Sequence, residues 1–151
     1  MGAIPQLRIT HVVEAPRARV YKAFTDTDDF IAWWGPHGNS LPRDEVEIDL
    51  RPGGFIQWAE VFPDRPDVWT RGRIELTDVV DGELLDGLMR INGQLPGEHE
   101  PFETRMRIEF HDEPVNRTRL EIRQWLPDTH LEGTRGGWSE AFSKLEALLT
   151  S

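Results

Sequence analysis

Residues 129–149, THLEGTRGGWSEAFSKLEALL, decide the fold. Leu131, Trp138, Ala141, Phe142, Leu145, Leu148 and Leu149 recur at three- and four-residue steps, while Glu132, Arg135, Glu140, Lys144 and Glu146 fill the opposite arc. The spacing predicts one long amphipathic helix. About 20 residues of helix span ~30 Å, the width of a small domain, and the apolar stripe needs a covering layer. Gly136 and Gly137 interrupt the pattern, each costing about 1 kcal/mol relative to alanine in a helix interior. They mark close approach to a covering sheet, room for a ligand, or a later helix start near Trp138.

Working back from that helix, the covering layer is built from strands. Leu120, Ile122 and Gln124 face in against Arg119, Glu121 and Arg123, after a turn at residues 114–117. Phe102, Thr104, Met106, Ile108 and Phe110 alternate with Glu103, Arg105, Arg107 and Glu109, a half-buried strand whose outer charges pair across to neighbours. Residues 92–101 are polar and proline-bearing, a loop. Asp81-Gly82 joins a strand at 84–91 to one in which Val68, Thr70, Gly72, Ile74 and Leu76 share a face. Residues 55–62 form the strand before that, entered from the turn Arg51-Pro52-Gly53-Gly54. Val46, Ile48 and Leu50 belong to another, with Asp44 on the inner parity. Leu7, Ile9 and Val13 open the chain as a strand, and His11 shares their parity.

Two short helices fall between the first and second strands. Pro16 suits a first helical turn, with Val20, Ala23 and Phe24 as its buried side. Thr25 and Asp28 have the spacing of a capping pair, opening a helix to Trp34 that buries Phe30, Ile31 and one tryptophan before Gly35-Pro36 stop it. The order is α+β, helices laid on one face of an antiparallel sheet.

Composition removes several classes of function. The 151 residues suit a single domain, 1–151, that buries roughly 68–70% of its unfolded surface. Without cysteine there are no disulfides, thiolate metal sites or cysteine nucleophile. The first ten residues lack a secretory pattern and Gln6 stands where a myristoylation signal has Ser or Thr, so a cytoplasmic location is expected. No run approaches the ~20 apolar residues of a membrane span. A formal net charge of -10 repels phosphate backbones and anionic lipid, so neither nucleic acid nor membrane is expected as a partner.

Ala15-Pro16, Trp33-Trp34-Gly35-Pro36, Asp49-Leu50-Arg51-Pro52-Gly53-Gly54, Thr118-Arg119-Leu120 and Gly137-Trp138, in this order ahead of a leucine-rich end, make the whole chain resemble a known family. It is similar to the activator of heat-shock-protein-90 ATPase homologues, within the START-like (SRPBCC) superfamily. The resemblance implies a helix-grip (Bet v-like) fold, a curved antiparallel sheet of about seven strands around the C-terminal helix with an internal cavity between them. It also implies a hydrophobic or amphipathic small-molecule ligand, with cyclisation or hydrolysis in a few superfamily members.

The family pattern puts Ile56, Trp58 and Glu60 on the helix side of their strand. A carboxylate in an apolar cavity has its pKa raised by desolvation, which makes Glu60 a candidate acid, base or ligand anchor. The plainer reading, favoured because charged groups are rarely buried unpaired, is a bulge or strand end that returns Glu60 to water. Gln124, where family members often carry His, either orients a polar ligand group or satisfies a neighbouring carbonyl. Asp44 is expected at a solvated strand end. Trp33, Trp34, Trp58 and Trp138 offer flat apolar surface to a ligand, although ordinary core packing accounts for at least about two of them. Trp34, Trp58, Glu60, Met106, Gln124, Trp138, Phe142 and Leu145 are thus the candidate ligand-binding residues, and Glu60 and Gln124 the candidate catalytic ones. Trp69 and Trp125 have outward parity, the mark of a homodimer contact unless a bulge turns them in.

The five histidines, with His37 in a turn, His99 in a loop and His111 at a strand end, form no metal motif. Ser40, Ser139, Ser143 and Ser151 lack a nucleophile-elbow context. No metal or cofactor is expected. Three functions remain, in this order: a small-molecule binding protein, a cyclase, dehydratase or hydrolase using Glu60, and a chaperone-interaction or stress-response module using outward tryptophans and the acidic residues 97–101.

Overall fold

The computed structural model describes residues 6–94 and 102–150. His99, the acidic segment 97–101 and Ser151 lie outside the described residues. The chain runs β1 (Leu7–Val13), α1 (Arg17–Thr25), α2 (Thr27–Trp33), β2 (Glu47–Asp49), β3 (Phe55–Val61), β4 (Trp69–Val80), β5 (Leu84–Gln94), β6 (Phe102–Glu113), β7 (Arg117–Trp125) and α3 (Leu131–Thr150). The strands make one antiparallel sheet in the order β1-β7-β6-β5-β4-β3-β2. Each strand from β2 to β7 pairs with the next, and β1 closes onto β7 because α1 and α2 carry the chain across the sheet before the meander begins.

Side-chain parity sets the register. Ile108 stands opposite Ile122, Met106 opposite Gln124, and Gln124 in turn opposite Leu7, so one face of β6, β7 and β1 is continuous. That face meets Trp138, Ala141, Phe142 and Leu145 of α3 together with Phe24, Phe30 and Trp33 of the short helices. A one-residue slip would turn every one of these strand residues to water, and the register is correspondingly firm. On the other face Arg90 bonds Glu75 at 2.6 Å and Glu103 at 2.7 Å. Such exposed pairs contribute about 0–1 kcal/mol each and chiefly keep the outer surface polar.

Local differences from the sequence reading have local causes. Asp26, not Thr25, caps α2: its carboxylate accepts from the Asp29 amide at 3.1 Å, while the Thr25 hydroxyl donates to the Tyr21 carbonyl. The helix ends at Trp33, and Ile31 is only half-buried. A 3₁₀ turn at Arg43–Glu45 shortens β2 to three residues, leaves Asp44 exposed and turns Leu50 outward. The Arg51-Pro52-Gly53-Gly54 turn is a structural motif: Gly53 donates to the Leu76 carbonyl and Gly54 accepts from the Leu76 amide, and a Cβ on Gly54 would lie 2.0 Å from the Asp49 carbonyl. α3 is continuous through Gly136 and Gly137. An added Cβ at either would meet nothing within 4 Å, so neither close approach to the sheet nor a late helix start explains them.

Candidate ligand-binding site

Three features of the inner face bear on function. The first is the aromatic interior. Trp34 stacks on Phe30 at 4.8 Å between ring centres and meets Trp58 at 5.2 Å and Trp138 at 5.5 Å, edge to face. Trp34 and Met106, with Phe24, Phe30, Ile56 and Ile108, border an enclosed space of about 10 Å³. That is room for one water at most, and its apolar walls offer a water no partner. Trp58 and Leu145 are packed core. The space between sheet and helix is therefore filled largely by side chains.

The second feature surrounds Glu60, which β3 does turn inward. It is buried, so the expectation of a return to water does not hold. Burial, partly offset by the Lys144 ammonium and by hydrogen bonds from Trp58, Asn39 and Thr70, pushes its pKa up to about 7. The turn over it is built for closeness. Gly35 has φ +86°, and a Cβ there would come 2.4 Å from both the Glu60 Oε1 and the Asn39 Nδ2. Lys144 donates to Asn39 Oδ1 at 2.8 Å, to the Pro36 carbonyl at 3.1 Å and to the Trp34 carbonyl at 3.4 Å, while Glu140 accepts from the His37 amide at 3.0 Å. α3 thus grips the 34–39 turn by two charged side chains one helical turn apart. Glu60 borders neither this enclosed space nor the cleft described next.

The third feature is a cleft of about 290 Å³ between edge strand β1 and α3, bordered by Ile9, His11, Arg135, Trp138, Ser139, Phe142, Ser143 and Glu146. The α3 residues follow the helical steps i, i+3, i+4, i+7, i+8 and i+11, one stripe on the shoulder of the buried face, about 16 Å long at 1.5 Å per residue. Its floor is aromatic: the His11 ring lies flat on Phe142 with centres 4.2 Å apart, and Phe142 meets Trp138 at 5.5 Å. Its two ends differ in charge. Glu146 Oε1 is held by His11 Nε2 at 2.9 Å, whereas Arg135, exposed at the other end, makes no ion pair with any described residue.

Gln124 stands behind this floor. It is 1% exposed, and its Oε1 accepts from the Trp138 indole at 2.7 Å. An indole N–H only donates, so the amide oxygen must face it and the amide nitrogen points elsewhere, where it has no partner among the described residues. Gln124 and Glu60 lie on β7 and β3, with β6, β5 and β4 between them, and neither borders the enclosed space or the cleft.

Of the candidate ligand-binding residues, then, Trp138 and Phe142 border the cleft and Trp34 and Met106 the small enclosed space, while Gln124 borders neither and is bonded to Trp138. Sequence reasoning missed Ile9, His11, Arg135, Ser139, Ser143 and Glu146. The available signal was His11 at core parity on a strand next to the helix, and Arg135 and Glu146 eleven residues apart on one helical line. Trp69 is 43% exposed beside Val61, its register partner, while Trp125 lies half-buried under the Arg105 guanidinium, 4.7 Å from the ring centre. On the outer face Glu109, His111 and Glu121 bring three donor atoms within 4.8 Å, but Arg107 bonds Glu109 at 2.7 Å and holds its carboxyl below the usual range.

Residues 14–150 match the family model described as activator of Hsp90 ATPase homolog 1-like protein. Among solved structures the chain is similar to a protein from Chromobacterium violaceum, at 24% identity over 96% of this chain and 97% of that one, TM-score 0.79. It is also similar to an AHSA1 protein from Silicibacter pomeroyi, at 19% identity over 95% and 96%, TM-score 0.76. A protein of the dynemicin biosynthetic locus matches at 18% identity over 96% of this chain and 47% of its own, TM-score 0.66. No curated protein matches the chain. At these identities the likeness is one of fold.

Proposed function

The chain belongs to the activator of Hsp90 ATPase homolog 1-like family, and from that premise we propose that it is a small-molecule binding protein whose amphipathic ligand occupies the cleft between β1 and α3. The observation that carries this reading is the cleft's polarity: an aromatic floor of Trp138 and Phe142 with Arg135, which makes no ion pair among the described residues, at one end. Ile9, Trp138 and Phe142 give the cleft an apolar side and His11, Arg135, Ser139, Ser143 and Glu146 a polar one, which suits an amphipathic molecule, and about 290 Å³ lies at the small end of the range of ligand sites. In a chain of net charge -10 a cation without an ion-pair partner among the described residues favours an anionic head group. Calorimetric titration with dodecanoate, 2-naphthoate and dodecylamine tests the proposal. Binding of the two anions in preference to the amine supports it, and no heat from any of the three contradicts it.

A second reading, an enzyme of cyclase, dehydratase or hydrolase type, is favoured by one observation, the buried Glu60 carboxyl with its pKa near neutrality beside Lys144. On this reading Glu60 gives and takes a proton at a substrate admitted under the 34–39 turn, and Gln124 orients that substrate. Turnover lost in Glu60→Gln with binding retained would support it, and binding without turnover in the unaltered protein leaves the first reading alone.

A further inference from the structure

Trp138 is a partition. Its indole borders the cleft, meets Trp34, which borders the enclosed space, near-perpendicularly at 5.5 Å between ring centres, and has its N–H tied to Gln124. Gln124 stands in register with Met106, which also borders that space, and its buried amide nitrogen has no partner among the described residues.

The segment leading to Trp138 is weakly held. Within residues 131–137 no side chain is fully buried, and Leu131 is the apolar residue packed against the core. Gly133, Gly136 and Gly137 sit there with open space where a Cβ would be. Packing does not require them, so alanine would fit at each, and their effect is to make the first two turns of α3 open more readily than any alanine-bearing sequence would. A buried amide without a partner and a helix start that opens easily meet at one residue, Trp138.

Resting on the cleft reading above, we propose that residues 131–137 are a gate, latched by the Trp138–Gln124 hydrogen bond, and that the ligand it admits carries a carbonyl or carboxylate oxygen that accepts from the Gln124 amide. Opening moves the indole aside and exposes a floor of Phe142, Trp34 and Met106 with Gln124 as its polar point. The occupant is an aryl or acyl compound with an oxygen acceptor on its apolar body. A purely hydrocarbon body leaves the amide unsatisfied and is discriminated against.

Hydrogen exchange on the full chain tests the gate without any ligand. Amides of residues 134–138 exchange faster than those of 141–149, and Gly136→Ala/Gly137→Ala slows them by roughly 30-fold. Equal exchange along α3, or no slowing in the double variant, overturns the gate. Calorimetry with 2-acetylnaphthalene and 2-ethylnaphthalene tests the ligand class. The acetyl compound binds at least about tenfold more tightly, and Gln124→Met brings the two within about twofold. Should Gln124→Met fail to fold, side-chain resonances of Gln124 and Trp138 in the unaltered protein make the same distinction, shifting with the acetyl compound and not with the ethyl one. Equal affinity for both overturns this inference alone. No binding of either, with gated exchange intact, overturns the ligand assignment, and the cleft reading falls with it only where 2-naphthoate also gives no heat.

Discussion

The Trp58 indole lies on Gly72, its register partner on β4: a Cβ added to Gly72 would fall 2.1 Å from Trp58 Cζ2. The missing side chain lets the ring lie over the strand, and in that position its N–H reaches Glu60. Gly72 is thus the base on which the buried carboxyl is assembled. Gly72→Ala is expected to destabilise the fold by about 1–3 kcal/mol through overpacking, lowering Tm by roughly 5 °C. Gly133→Ala, where the added methyl meets nothing within 4 Å, is expected to leave Tm unchanged or raise it. Thermal denaturation of both variants checks the pair.

Glu60 makes stability depend on pH in a defined direction. Its folded pKa of about 7 lies above the ordinary glutamate value of 4.5, so between these values the folded state holds a proton that the unfolded state has released. The stability tied to that proton is fully present below about pH 4.5 and is lost as pH rises through about 7, up to about 3 kcal/mol in all. Urea unfolding from pH 5 to 8 is expected to show this loss, and Glu60→Gln, which imitates the protonated carboxyl, is expected to flatten it. Parallel pH slopes for the two proteins would mean that Glu60 is ionised in the fold throughout.

The cleft predicts an ionic signature. Arg135→Ala is expected to weaken dodecanoate about tenfold and to remove most of the salt dependence of binding, because the charge at that end is exposed and screened by salt. His11→Ala strips the parallel ring from Phe142 and the partner from Glu146, and is expected to weaken both dodecanoate and 2-naphthoate. Calorimetry at two salt concentrations separates the effects.

What could be read from sequence follows the range of the forces involved. The strand holding Phe102, Thr104, Met106, Ile108 and Phe110 was legible because alternation has a period of two and one face must be dry. The cap of α2 was misplaced by one residue, from Asp26 to Thr25, because both are good caps and only the backbone path selects between them. Glu60 had the right parity, but its burial depends on Asn39, Thr70 and Lys144, which approach from three separate segments. Asp86 shows the converse. It lies on the charged outer face and is nonetheless 1% exposed, because Arg105 and Arg107 fold over it at 3.1 and 3.0 Å. The cleft was least legible of all, since it arises where α3 runs along the edge strand β1 and does not close against it.

The most direct measurement is a two-dimensional amide NMR titration of the unaltered protein with 2-naphthoate. Shifts are expected to map onto Ile9, His11, residues 135–146 and the Trp138 indole N–H, with the outer sheet face around Trp69 and Arg90 unmoved. No shift at millimolar ligand, or shifts confined to the outer face, would contradict the cleft reading.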